Sequence, residues 1–76
     1  MTSKITIDPN VCHGKPCIRG TRIMVTNILG QLAGGESWES IKKGYPEIND
    51  DDIRAAIDYA VSIVQDEEII ALSQGK

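Results

Sequence analysis

The sequence predicts a mainly α fold, a three-helix, helix-turn-helix-like core behind a short N-terminal β segment. Three observations predict it. Before residue 26 the pattern alternates, as in KITI, residues 4–7. After it, apolar residues recur at helical spacing in three separate stretches. The breaks between those stretches are brief and rich in turn formers, Gly34-Gly35-Glu36 and Gly44 to Ile48. Helices joined by turns this tight form helix-turn-helix-like units. The expected layout is one domain, residues 1–76, with a β segment and turns over 1–25, three helices over 26–72 and a frayed tail over 73–76.

In KITI, Ile5 and Ile7 are expected to share one face of a strand, which Asp8-Pro9-Asn10 ends with turn chemistry. Cys17 to Val25 is a second extended candidate. Pro16 biases Lys15 away from helix, and Gly20 interrupts the run where a turn or bulge needs a backbone angle that Gly takes cheaply.

Thr26 reads as the N-cap of the first helix, followed by Ile28, Leu29 and Leu32 and stopped by Gly34-Gly35. Ser37 caps a short second helix through Trp38, Ile41 and Lys42, which Gly44 and Pro46 close. Asn49 starts the third. Asp50, Asp51 and Asp52 in its first turn complement the helix dipole, and Ile53, Ala56, Ile57, Ala60, Val61 and Val64 form its apolar stripe. Asp66-Glu67-Glu68 interrupts the stripe before Ile69, Ile70 and Leu72 resume it.

The size and composition limit the function. Seventy-six residues bury only about 60% of the unfolded surface, and such chains usually lean on a staple, a metal or a partner. Phe is absent and Trp38, Tyr45 and Tyr59 are the aromatics, so the core must be aliphatic and a homodimer is expected. There is no apolar run of ~18 residues to span a membrane, and MTSKITIDPN does not read as a signal peptide. A cytoplasmic protein with free thiols is expected.

The net charge of −3 is unevenly spread. In residues 1–45 six cations (Lys4, Lys15, Arg19, Arg22, Lys42, Lys43) oppose three carboxylates, a net +3. In residues 46–76 Arg54 and Lys76 oppose eight carboxylates, a net −6. A basic half can meet nucleic acid and an acidic half a basic protein surface. Three carboxylates at the start of the third helix would repel a duplex, so DNA contact is assigned to the β segment through Lys15, Arg19 and Arg22, with Lys42 and Lys43 assisting. The acidic residues of the third helix, Asp58, Asp66, Glu67 and Glu68, are the candidates for a protein partner.

The stretch VCHGKPCIRGTRI, residues 11–23, holds both cysteines and the single histidine. Cys12 and Cys17 have C-x4-C spacing, but structural zinc wants four ligands and there is no second pair, so no metal site is assigned. A catalytic cysteine would need His13 as its base, with no third group to orient it. The glycines match neither a P-loop nor a dinucleotide fingerprint. The carboxylates fit capping and solvation better than acid–base work, and no enzyme constellation emerges. Gly14, Pro16, Gly20 and Thr21 read as a shaped turn.

GKPCIRGTRIMV closely resembles the signature of domain-of-unknown-function family 433, small bacterial and archaeal proteins. Gly14, Lys15, Pro16, Gly20, Thr21 and Arg22 match its first run, Tyr45-Pro46 its second, and Ala55, Ala56, Tyr59 and Ala60 its third, over about residues 5–65. His13-Gly14 stands where members often carry Gly-Gly, and Cys17 where they often carry an aliphatic residue, which argues against a family-wide metal site at Cys12, His13 and Cys17. The resemblance implies a homeodomain-like core, usually dimeric. It also implies an antitoxin of a type II toxin–antitoxin pair that neutralises a PIN-like ribonuclease toxin and binds operator DNA. A stand-alone dimeric DNA-binding transcription regulator is the alternative.

Overall fold

The computed structural model describes the backbone of residues 4–74 and the side chains of residues 4–66. It contains two short strands, β1 (Ile5–Thr6) and β2 (Cys17–Ile18), and three helices, α1 (Val25–Ala33), α2 (Trp38–Gly44) and α3 (Asp50–Gln74). The strands pair antiparallel, Ile5 opposite Ile18 and Thr6 opposite Cys17. No helix among the described residues is long and apolar enough to cross a membrane.

β1 is shorter than the alternation implied. The Asn10 N–H donates to Asp8 Oδ1 at 2.8 Å and the Val11 N–H to the Asp8 carbonyl at 2.9 Å, so the chain turns directly after Ile7. Ile5 packs against the core while Ile7 is 59% exposed. The two isoleucines therefore do not share a buried face, because the ladder ends at Thr6.

The extended run expected over residues 17–25 is instead a hairpin folded on itself. The Thr21 N–H donates to the Ile18 carbonyl at 3.0 Å, and Gly20 sits third in this turn with φ +81°. A turn with positive φ at its third residue calls for Gly. Thr21 secures it twice, its hydroxyl donating to the Ile18 carbonyl (2.9 Å) and accepting from the Ile23 N–H (3.0 Å). Met24 bridges back to Cys17, and the Val25 N–H donates to the Pro16 carbonyl at 3.0 Å. Lys15, before Pro16, is extended at φ −85°, ψ 152°.

α1 starts two residues earlier than the Thr26 cap implied. Met24 is the extended cap residue, without a side-chain bond, and its carbonyl accepts from Asn27 and Ile28. Val25 is buried and Thr26 exposed, so burial of the valine, not a hydroxyl cap, sets the start. The helix ends in a Schellman arrangement. The Glu36 N–H donates to the Gln31 carbonyl (2.9 Å), the Gly35 N–H to that of Leu32 (3.0 Å), and Gly35 takes φ +95°.

Ser37 caps α2, its Oγ accepting from the Ser40 N–H at 3.1 Å. Asn49 caps α3, as read from the sequence. The core is built almost wholly of branched aliphatics: Ile18, Ile23, Val25, Ile28, Ile41, Ile48 and Ile53, with Ala56. Trp38, Tyr45 and Tyr59 pack at its edge.

The apolar stripe of α3 divides at mid-helix. Ile53 and Ala56 are fully buried, whereas Val61 and Val64 are 47% and 57% exposed. α3 continues through Gln74, beyond the expected frayed start at residue 73. Residues 75–76 of that tail lie outside the described residues.

Candidate functional site

The R-G-T-R turn, residues 19–22, projects from the hairpin as a consequence of the bonds made by Thr21. Its backbone is anchored on both sides, by the Arg19 N–H to the Lys4 carbonyl (2.7 Å) and by the Ile18 N–H to the Ile23 carbonyl (2.9 Å). Arg19 and Arg22 are both exposed, and together with Gly20 and Thr21 they form one wall of an open cleft of about 600 Å³. Thr6, Asp8, Val11 and Glu47 complete it. Two guanidiniums, the Thr6 hydroxyl and two carboxylates suit a polar ligand. The guanidiniums are the groups that recognise phosphate oxygens in planar, forked geometry.

The five cations assigned to DNA differ in their relation to the cleft. Arg19 and Arg22 share the cleft, but Lys15, Lys42 and Lys43 are outside its lining. Lys42 is committed elsewhere, its Nζ lying 2.8 Å from Asp50 and 3.5 Å from Glu39. The hydrogen bond to Asp50 is the main reason its pKa is raised above 10.5. This pair joins the end of α2 to the start of α3, a contact between residues eight apart that no helical periodicity announces. Lys15 and Lys43 are exposed.

The acidic candidates are spread along α3. Asp58 and Asp66 are exposed, while the side chains of Glu67 and Glu68 lie outside the described residues. A feature the sequence reading missed lies beside them, an apolar groove of about 260 Å³ between α1 and α3. Leu29, Tyr59, Ile63 and Val64 line it, with Pro16 and Val25 at one end. Ile63 lies outside the stripe read from the sequence, so its partnership with Leu29 was visible only once the helices were packed.

The two cysteines meet the R-G-T-R turn from beneath. Cys12 Sγ donates to the Arg22 carbonyl at 3.3 Å and Cys17 Sγ to the Thr21 carbonyl at 3.6 Å. Cys17 is fully buried. Burial is the main cause that pushes its thiol pKa above 9.0. His13 is exposed, and among the described residues no three His, Cys, Asp or Glu side chains cluster as a metal site would require. Gly14, Pro16, Gly20 and Thr21 all contribute to shaping this region.

The region that builds the hairpin, cleft and core is also the one that matches known proteins. The family DUF433, protein of unknown function, matches residues 5–60. This chain belongs to the DUF433 family. It is similar to a crystal structure of a DUF433 member from Anabaena variabilis, at 31% identity and a TM-score of 0.77, over 90% of this chain and 69% of that one. It is also 34% identical over 56 residues to an uncharacterized protein, y4eO, of Sinorhizobium fredii. That match takes in 74% of this chain and 25% of the relative, so this DUF433 chain spans about a quarter of that relative's length.

Proposed function

We propose that this DUF433 protein is a binding module, the antitoxin of a type II toxin–antitoxin pair, with no catalysis of its own. It works as a homodimer, neutralises a PIN-like ribonuclease toxin through the outer half of α3, and holds operator DNA through Arg19 and Arg22. The observation that carries the reading is the division of α3. Its first turns complete the core, and beyond them Val61, Ile63 and Val64 are 47%, 39% and 57% exposed, with exposed Asp66 beside them. Clustered apolar side chains rimmed by charge favour a protein partner. Because PIN-type active sites are themselves acidic and bind divalent metal, the acidic helix would mask the toxin's basic RNA-binding surface rather than enter its active site.

The test is co-expression with the PIN-like ribonuclease encoded beside this gene, reading complex formation by size exclusion and protection of RNA. A stable complex that Val64→Asp disrupts is expected. A nuclease that stays free and fully active in the presence of this protein overturns the antitoxin reading. Light scattering of the free protein tests the dimer.

The exposed pair Arg19 and Arg22 favours a second reading, a stand-alone dimeric transcription regulator. It requires binding to a palindromic promoter site that weakens steeply with salt. Promoter affinity unchanged in Arg19→Ala and in Arg22→Ala would rule this turn out as the contact.

A further inference from the structure

The two thiols of the segment 12–22 meet the same turn. Cys12 and Cys17 each donate to one of two consecutive carbonyls, those of Arg22 and Thr21, at 3.3 and 3.6 Å. These carbonyls belong to adjacent residues, so both thiols end on the same short stretch of the R-G-T-R turn. Their surroundings differ. Cys12 is half-buried, at the start of a turn open to solvent at His13, whereas Cys17 is fully buried. The intervening turn is held in left-handed backbone at three successive residues, Cys12 (φ 54°), His13 (φ 56°) and Gly14 (φ 80°). Two of these are not glycine, so the local chain conformation is costly and is sustained by its surroundings.

We propose that Cys12 and Cys17 are a reversible redox pair, which a hydroperoxide converts to an intrachain disulfide. The accessible Cys12, as thiolate, attacks one peroxide oxygen. The O–O bond breaks, an alcohol (water, for hydrogen peroxide) leaves after taking up a proton, and Cys12 becomes a sulfenic acid. The Cys17 sulfur then attacks Cys12 Sγ. The S–O bond breaks, hydroxide leaves as water with the proton from Cys17, and the S–S bond forms. Two thiols are oxidised and one hydroperoxide is reduced. A thiol reductant reverses the step by exchange.

The position of the pair gives the reaction a consequence. Both S–H donors are lost from the carbonyls of Thr21 and Arg22, two residues that line the polar cleft. The shape of the R-G-T-R turn is thereby tied to the thiol state. The chemistry holds whether or not that turn binds nucleic acid, so its test is separate from that of the proposed function.

The experiment treats the reduced full-length protein with a small excess of hydrogen peroxide. The product is then denatured, alkylated with iodoacetamide, and read by intact mass and peptide mapping. Expected are the loss of two hydrogens, complete protection of both cysteines from alkylation, a monomer on a non-reducing gel, and two alkylated cysteines after reduction. In Cys12→Ser, Cys17 should remain fully alkylatable after the same treatment. Oxygen added at Cys12 while Cys17 still alkylates, disulfide-linked dimers, or two unreacted thiols would each overturn the proposal.

Discussion

Asn49 and Asp52 cap α3 reciprocally. The Asp52 N–H donates to Asn49 Oδ1 at 3.0 Å, and the Asn49 N–H donates to Asp52 Oδ2 at 3.0 Å. This is a capping box with aspartate in the place usually held by glutamate. Asp52 is buried, 9% exposed, the one such charged side chain among the described residues, and its other oxygen lies 3.5 Å from Lys4 Nζ. One carboxylate thus ties the start of the longest helix to the residue before β1. Asn49→Ala should cost about 1 kcal/mol of stability. Asp52→Ala should cost more, because it also leaves Lys4 without this partner, and Asp52→Asn should fall between. Urea midpoints followed through Trp38 fluorescence decide the order; equal losses for the two alanine variants would show that the Lys4 contact contributes nothing.

The R-G-T-R turn should be sensitive through its backbone. A Cβ at Gly20 would meet nothing within 4 Å, so Gly20→Ala is penalised only by φ +81°. About 1 kcal/mol is expected. Thr21→Val keeps the side-chain shape and removes two hydrogen bonds, with a loss of about 1–2 kcal/mol. A Gly20→Ala protein as stable as the wild type would mean that the turn relaxes to another conformation.

The small aliphatic core leaves little reserve. Ile28, Ile41 and Ile53 are each fully buried in it. Truncating any one to alanine should cost about 2–5 kcal/mol, comparable with the whole stability of a small domain. Ile53→Val should lose only about 1 kcal/mol. Thermal unfolding would report this as a folded valine variant and a largely unfolded alanine variant.

Stability should decline on the alkaline side. The folded state holds the Cys17 proton more tightly than the unfolded chain, chiefly through burial, and the Lys42 proton more tightly through Asp50. Both contributions are complete below the ordinary values of 9.0 and 10.5 and are lost as pH rises through the raised folded values. Unfolding midpoints from about pH 8 to about pH 11 should fall. Cys17→Ala should remove the earlier part of the fall and Asp50→Asn should weaken the later part; a flat profile in the wild type would contradict both.

Arg19→Ala and Arg22→Ala should each leave stability within about 0.5 kcal/mol, since both side chains are exposed. If the turn contacts DNA phosphates, each should lower the slope of log affinity against log salt by about 1. Loss of affinity with an unchanged slope would point to contacts other than phosphate.

The features legible in the sequence are those that a residue makes with its near neighbours in the chain. Ser37 and Asn49 announced their helices, Gly34-Gly35 and Gly44 ended theirs, and Gly20 marked a turn. Each works through a bond spanning two to five residues or through a single backbone angle, so the local sequence alone specifies it. The residues that resemble DUF433 are largely these same turn formers, which is why the family was readable too.

The tertiary structure decided the rest. Ile5 and Ile7 are equally apolar, but only Ile5 reaches the core. Val61 and Val64 continue the stripe of Ile53 and Ala56, yet they stay 47% and 57% exposed while Ile53 and Ala56 are fully buried. Met24, not Thr26, sits at the start of α1 because Val25 is drawn inward. Lys42 closes on Asp50, and Cys12 and Cys17 converge on Thr21 and Arg22. These outcomes depend on which surfaces meet when helices and hairpin pack, and burial and long-range pairing carry no local signature in the chain.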